Sequence, residues 1–339
     1  MPRTINQRVR QTIGALSVAV ALVAPGVAQA LPLDYVAAPA TGGAVDPDLC
    51  AVPGTVDLPG AAGVPIWGFA LRPTPATPCD GLSPQLPGPV LEFATGDQVT
   101  LNVTNAIPGQ TLSITAPGIS FDPGPTDVEF GQTTTITFTA SNPGTYLYSS
   151  VGDAERQQAM GLYGALLVCS STPCSSSGTH YGSAYDRAKT LVLSEIDTAL
   201  NTSADPSTFD MYNWAPKYWL INGRPHTDSS SDITAAAGDR VLLRYLSAGP
   251  ETVTMTMLGM HGHLLARDAY PLSDPIDVVA ETLPAGSTAD MIVSVPAGTP
   301  SGTRLPLYNR QLRLNNGAVG DSQFAPADGG GMMTFIDIP

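Results

Sequence analysis

Lysine is nearly missing from this 339-residue chain: only Lys189 and Lys217 occur. Fifteen basic residues face 29 acidic ones, a formal charge of −14. Such a field repels phosphate backbones and anionic lipid surfaces, so nucleic acid is not an expected partner. Histidine numbers four, which confines imidazole chemistry to His180, His226, His261 and His263. Cysteine also numbers four, and none neighbours a histidine, so structural disulfides are expected over metal thiolates. Cys50 with Cys79 and Cys169 with Cys174 is the economical pairing; the other two pairings stay open. The chain has no phosphate-binding loop, no dinucleotide fingerprint and no Gly-x-Ser-x-Gly elbow.

The first thirty residues read as a secretory signal peptide. Arg3, Arg8 and Arg10 give a positive start, Thr12 to Val23 a short apolar run, and Ala28-Gln29-Ala30 a small-residue cleavage site. The run is too short to span a bilayer, and no later segment is apolar enough. There is no Arg-Arg pair, so a general secretion route to the periplasm or beyond is expected. Without those three arginines the formal charge is −17. Abundant Gly and Pro, 34 and 32, with few charges, suit an all-β protein with many turns.

An internal repeat organises the rest. Leu91-Glu-Phe-Ala-Thr-Gly-Asp-Gln-Val-Thr-Leu-Asn-Val-Thr-Asn105 matches Ile233-Thr-Ala-Ala-Ala-Gly-Asp-Arg-Val-Leu-Leu-Arg-Tyr-Leu-Ser247. Each turns on Gly-Asp and runs out along alternating apolar positions; Val99, Leu101 and Val103 share one strand face. Phe130–Phe138 before Pro143–Tyr148 is echoed by Leu283–Val295 before Gly302–Tyr308. Two β-sandwich domains of about 140 residues each fit this plan. The expected division is a signal peptide (1–30), an extended N-terminal arm (31–65), a first domain (66–170 together with the arm), a Ser/Thr/Gly-rich linker (171–183) and a second domain (184–339). Ala154 to Met160 is the one expected helix. Among the tryptophans, Trp67 and Trp219 are expected in the core and Trp214 partly exposed.

The order of these fragments resembles the multicopper oxidase family, built from cupredoxin (plastocyanin-like) domains. Val64-Pro-Ile-Trp-Gly-Phe69, Pro87-Gly-Pro-Val-Leu-Glu-Phe93, Gly144-Thr-Tyr-Leu-Tyr148 and Gly161-Leu-Tyr-Gly-Ala-Leu-Leu-Val168 resemble strands of its first domain. Tyr218-Trp-Leu-Ile-Asn-Gly223, Arg244, Leu258-Gly-Met-His-Gly-His263 with Arg267-Asp268, Leu283-Pro-Ala-Gly286 and Asp290 resemble its second. The resemblance implies two tandem Greek-key β-sandwiches. It also implies two His-x-His pairs in the first domain, since residues two apart on a strand face one way. Thr115 and Pro117 stand where the first pair falls, and Ser149 and Val151 where the second falls. Proline and valine carry no donor, and hydroxyls are poor copper ligands. The family's electron-accepting copper sits mostly in a third domain, and this sequence ends on Met333-Thr-Phe-Ile-Asp-Ile338, which resembles the last strand of the second.

The soft-ligand cluster Met255, Met257, Met260, His261 and His263 is the low-ranked metal candidate, because thioether and imidazole suit Cu(I). Its competing reading is core packing of an alternating strand. His180 and His226 read as solvated loop histidines. Ser149, Ser150, Asp153 and Glu155 raise hydrolase chemistry, but no histidine is near them in sequence. No catalytic residue and no cofactor are expected, with copper as the alternative cofactor. The leading expectation is a non-catalytic interaction or assembly module, whose partner is another envelope or extracellular protein or a second copy. The alternative is a copper-binding protein, or a subunit of a copper-dependent oxidase completed by another chain.

Overall fold

The computed structural model describes residues 36–37, 44–153, 155–170, 174, 177–226, 232–313, 316 and 331–339. The expected signal peptide lies outside the described residues. No helix among those described is long and apolar enough to cross a membrane, a statement about helices alone.

Strands dominate, as the composition implies. In the first half, one sheet runs Val36–Ala37, Gly88–Ala94, Tyr163–Cys169, Gly144–Ser150, Ile114–Thr115. It packs on a second sheet ordered Ala44–Val45, Gln98–Asn105, Asp48–Leu58, Ala61–Leu71, with Thr133–Thr139 also paired to Gln98–Asn105. Along Gln98–Asn105 burial alternates, and Val99, Leu101 and Val103 point into a core with Leu49, Phe69, Phe93, Leu166 and Val168. The second half repeats the plan. A six-stranded sheet runs Tyr218–Ile221, Arg187–Ile196, Arg240–Ser247, Thr288–Ser294, Gly262–Arg267, Tyr270–Val278. A five-stranded sheet of Ile233–Thr234, Met333–Asp337, Arg304–Asn309, Val253–Met257 and Ala280–Leu283 faces it.

The repeat seen in the sequence holds at atomic detail. Asp97 Oδ2 accepts from the Ala94 N–H at 2.8 Å, and Asp239 Oδ2 accepts from the Ala236 N–H at 2.8 Å. Gly96 and Gly238 supply the positive φ of 97° and 92° that the two turns require.

Strands Gly144–Ser150 and Tyr163–Cys169 are buried at every position, because each has two faces to fill. Tyr146, Tyr148, Leu166 and Val168 point into the first core. Leu147, Tyr163, Ala165 and Leu167 point the other way, onto Val192, Ile196, Tyr218, Leu220 and Leu246 of the second half. The halves are therefore joined sheet to sheet through an apolar core. Gly223, with φ +73°, lets the second half approach so closely that a Cβ there would lie 1.9 Å from the Leu86 carbonyl oxygen.

Two stretches read as arm and linker carry strands. Asp48–Leu58, within the expected arm, is a full strand. It is an inner strand of the first half, paired with Gln98–Asn105 on one side and Ala61–Leu71 on the other. The end of the expected linker and the first residues after it form a ribbon, Gly178–His180 against Ser183–Tyr185, with His180 and Tyr185 buried. The disulfides are Cys50–Cys79 and Cys169–Cys174, the economical pairing. The helix is one turn, Arg156–Ala159. Trp67 is buried, while Trp219 and Trp214 are half-buried.

Candidate functional site

The strands that carry the copper positions of the resemblance come together. Ile114–Thr115 pairs antiparallel with the end of Gly144–Ser150, setting Thr115 opposite Ser149. The Val151 N–H donates to the Ser113 carbonyl at 2.7 Å, which extends the pairing by one residue. Ser149 is buried and Thr115 half-buried, while Pro117 and Val151 are exposed. Their chemistry does not fit copper: two hydroxyls, a pyrrolidine and an isopropyl group supply no imidazole or thiolate ligand. All four cysteines are oxidised, so thiolate ligation is closed as well. Among the described residues no three His, Cys, Asp or Glu side chains group as a metal-holding set.

Ser150 faces an amide and not a base. Ser150 Oγ donates to Gln157 Oε1 at 2.6 Å and accepts from the Ser113 N–H at 3.2 Å, and Gln157 Nε2 donates to the Thr111 carbonyl at 2.9 Å. A neutral amide occupies the place a catalytic imidazole would need. Asp153 is ion-paired to Arg156 at 2.7 Å.

The Met/His cluster is divided between inside and outside. Met255, Met257 and Met260 are buried in the second core with Leu264, Leu283 and Met291. His261 is exposed. His263 is part-exposed, and its Nδ1 lies 2.8 Å from Asp277 Oδ1.

His180 is not the solvated loop histidine that its surroundings in sequence imply. It is 2% exposed, held in a buried group with Thr145, Arg244 and Asp290. Arg244 and Asp290 face each other across adjacent strands. Thr145, from the first half, donates to Asp290 Oδ1 at 2.6 Å. His180 Nε2 stands 3.0 Å from Asp290 Oδ2; a carboxylate only accepts, so this nitrogen carries the proton. Arg244 Nη1 donates to Thr145 Oγ1 at 3.1 Å and lies 4.0 Å from Asp290 Oδ1, and Nη2 reaches Cys169 Sγ at 3.4 Å. Burial alone would push the Asp290 carboxyl up. The hydrogen bond and charge of His180, the charge of Arg244 and the Thr145 hydroxyl outweigh it and hold the group low. The sequence marked Arg244 and Asp290 as matching positions, but His180 lies 110 residues from its partner, with no local signal. The group joins strands from both halves and the ribbon between them, which makes it a positioning device at the junction. His226 is half-buried in a turn.

Comparison with known proteins agrees with this architecture. The multicopper oxidase family profile matches residues 74–173. Copper resistance protein A of Escherichia coli is 33% identical over 121 residues, covering 32% of this chain and 18% of that one. Multicopper oxidase MmcO of Mycobacterium tuberculosis is 24% identical over 284 residues, covering 71% and 54%. The chain thus spans about half or less of the curated relatives it matches. The blue copper oxidase of Nitrosomonas europaea superposes with a TM-score of 0.70 at 20% identity, covering 87% of this chain and 86% of that one. The fold is all-β and cupredoxin-like, and the chain is similar in sequence to multicopper oxidases over part of its length.

Proposed function

We propose that this protein is an exported, multicopper-oxidase-like module that acts by binding another protein and not by copper redox chemistry. One observation carries the reading: the strand frame is assembled, with Thr115 set opposite Ser149, while Thr115, Pro117, Ser149 and Val151 offer copper no useful ligands. An exposed sheet edge bearing apolar side chains supports the binding part of the reading. Tyr270–Val278 is a sheet edge exposed along nearly its whole length, with Ile276 exposed on it. Leu258 and Val279 stand exposed beside it, brought together by the Met257 N–H donating to the Val279 carbonyl at 3.2 Å. Export is read from the signal-peptide pattern of residues 1–30.

The test is copper content per chain, with an absorption spectrum, on exported protein grown with added copper and purified without a metal-binding tag. Less than about a tenth of a copper per chain and no blue band are expected. Stoichiometric copper overturns the reading in favour of a copper-binding protein or oxidase subunit. His261→Ala with His263→Ala would then show whether the Met255–His263 segment holds it.

A further inference from the structure

A cavity of about 390 Å³ opens where the halves meet, lined by Tyr146, Tyr181, Tyr270, Pro143, Pro271 and Asp268 among others. Its volume falls in the range of small-molecule sites, about 300–1,000 Å³. Tyr146 and Tyr181 follow Thr145 and His180 of the buried junction directly in the chain, so their backbones are fixed by it.

The lining carries three tyrosine rings and one carboxylate, and no cationic side chain. The Tyr146 hydroxyl donates to the Asn142 carbonyl at 2.8 Å and the Tyr181 hydroxyl to the Ala269 carbonyl at 3.3 Å. Both protons are thus spent within the wall. The prolines have no N–H, and no Lys, Arg or His lines the cavity. Asp268 Oδ1 accepts from the Thr288 N–H at 2.8 Å, which orients the carboxylate. Burial, then Asp290 and Tyr270, pushes the Tyr146 phenol up to about 12, so it stays protonated and its ring neutral. An anion would meet the Asp268 carboxylate with no cationic side chain in the lining to balance its charge. A divalent metal ion would find one carboxylate where it needs several hard oxygens. A substituted ammonium needs aromatic faces and a nearby negative charge, and both are present. The charge of the whole chain, −14, draws cations toward it.

We infer that this cavity binds an organic cation of the substituted-ammonium type, with Tyr146, Tyr181 and Tyr270 around the cationic head and Asp268 balancing its charge. Calorimetric titration of the full chain with choline, and with its neutral carbon analogue 3,3-dimethylbutan-1-ol, tests the charge requirement. The analogue is expected to bind about tenfold more weakly. Asp268→Asn and Tyr270→Ala should each weaken choline several-fold, while Tyr270→Phe, which keeps the ring, should bind as the parent does. Tyr270 is exposed on an edge strand, so its two variants leave the core untouched. Equal binding of choline and its analogue would overturn the inference, as would no saturable choline binding up to about 50 mM. Choline affinity indifferent to both Asp268→Asn and Tyr270→Ala would place the binding elsewhere.

Discussion

His180 Nε2 and Asp290 Oδ2 stand 3.0 Å apart in a site buried by both halves of the chain. The pair is shared between the ribbon and the second sheet, and Thr145 brings in the first. Removing one partner of such a buried pair leaves the other without compensation. His180→Ala is therefore expected to cost about 3–5 kcal/mol in urea unfolding. The low Asp290 carboxyl adds a pH dependence. Its contribution is fully present above the unfolded value of about 3.9 and is lost as pH falls through the lower folded value. Acid unfolding of the parent should be steep there and shallower in Asp290→Asn. Equal profiles would remove Asp290 as the cause.

Glu195 behaves in the opposite sense. It is 2% exposed, and burial followed by the Glu251 charge pushes its carboxyl up to about 8, against the Glu251 N–H and Arg313. The folded state then holds a proton that the unfolded state has released. Stability should fall as pH rises from 4.5 to about 8 and level off above. Glu195→Gln is expected to flatten that slope and to raise the melting temperature at pH 8. A variant that melts lower at pH 8 would show that the charged form is the one the fold wants.

Gly223 sits against Leu86 in the other half. Gly223→Ala combines a left-handed backbone with a direct clash on a carbonyl oxygen. A loss of more than about 2 kcal/mol is expected, against about 1 kcal/mol for backbone strain alone. Thermal unfolding of the two proteins side by side measures it.

Because Thr115 lies opposite Ser149, two imidazoles introduced there would stand on neighbouring strands. Cross-strand partners lie about 4.5–5.5 Å apart at Cα, within reach of one shared metal ion. Thr115→His with Ser149→His should take up Cu(II) in a titration where the parent does not respond at this site. If the double variant folds and gains nothing, the strand frame has drifted from a ligand-bearing geometry.

The sequence made the local chemistry legible. Gly96-Asp97 and Gly238-Asp239 announced matching turns because an Asx hydrogen bond closes within four residues. Alternation placed Met255 and Met257 on one face, and that face turns into the core. Pro53 and Gly54 disguised the strand Asp48–Leu58 as an arm. Pro53 is exposed and lies beyond the stretch 48–51 that pairs with Gln98–Asn105, so its missing N–H breaks no ladder there. His180 was illegible for another reason. Nothing around it distinguishes a solvated loop from a ribbon folded onto a carboxylate 110 residues away.

Alternate residues of Gly144–Ser150 and Tyr163–Cys169 fill separate cores, Tyr148 and Leu166 on one side, Leu147 and Leu167 on the other. Each strand is thus a party wall between two rooms. Neither sandwich can melt alone without stripping an apolar face from its neighbour. The two are expected to unfold together, as one calorimetric transition in place of two.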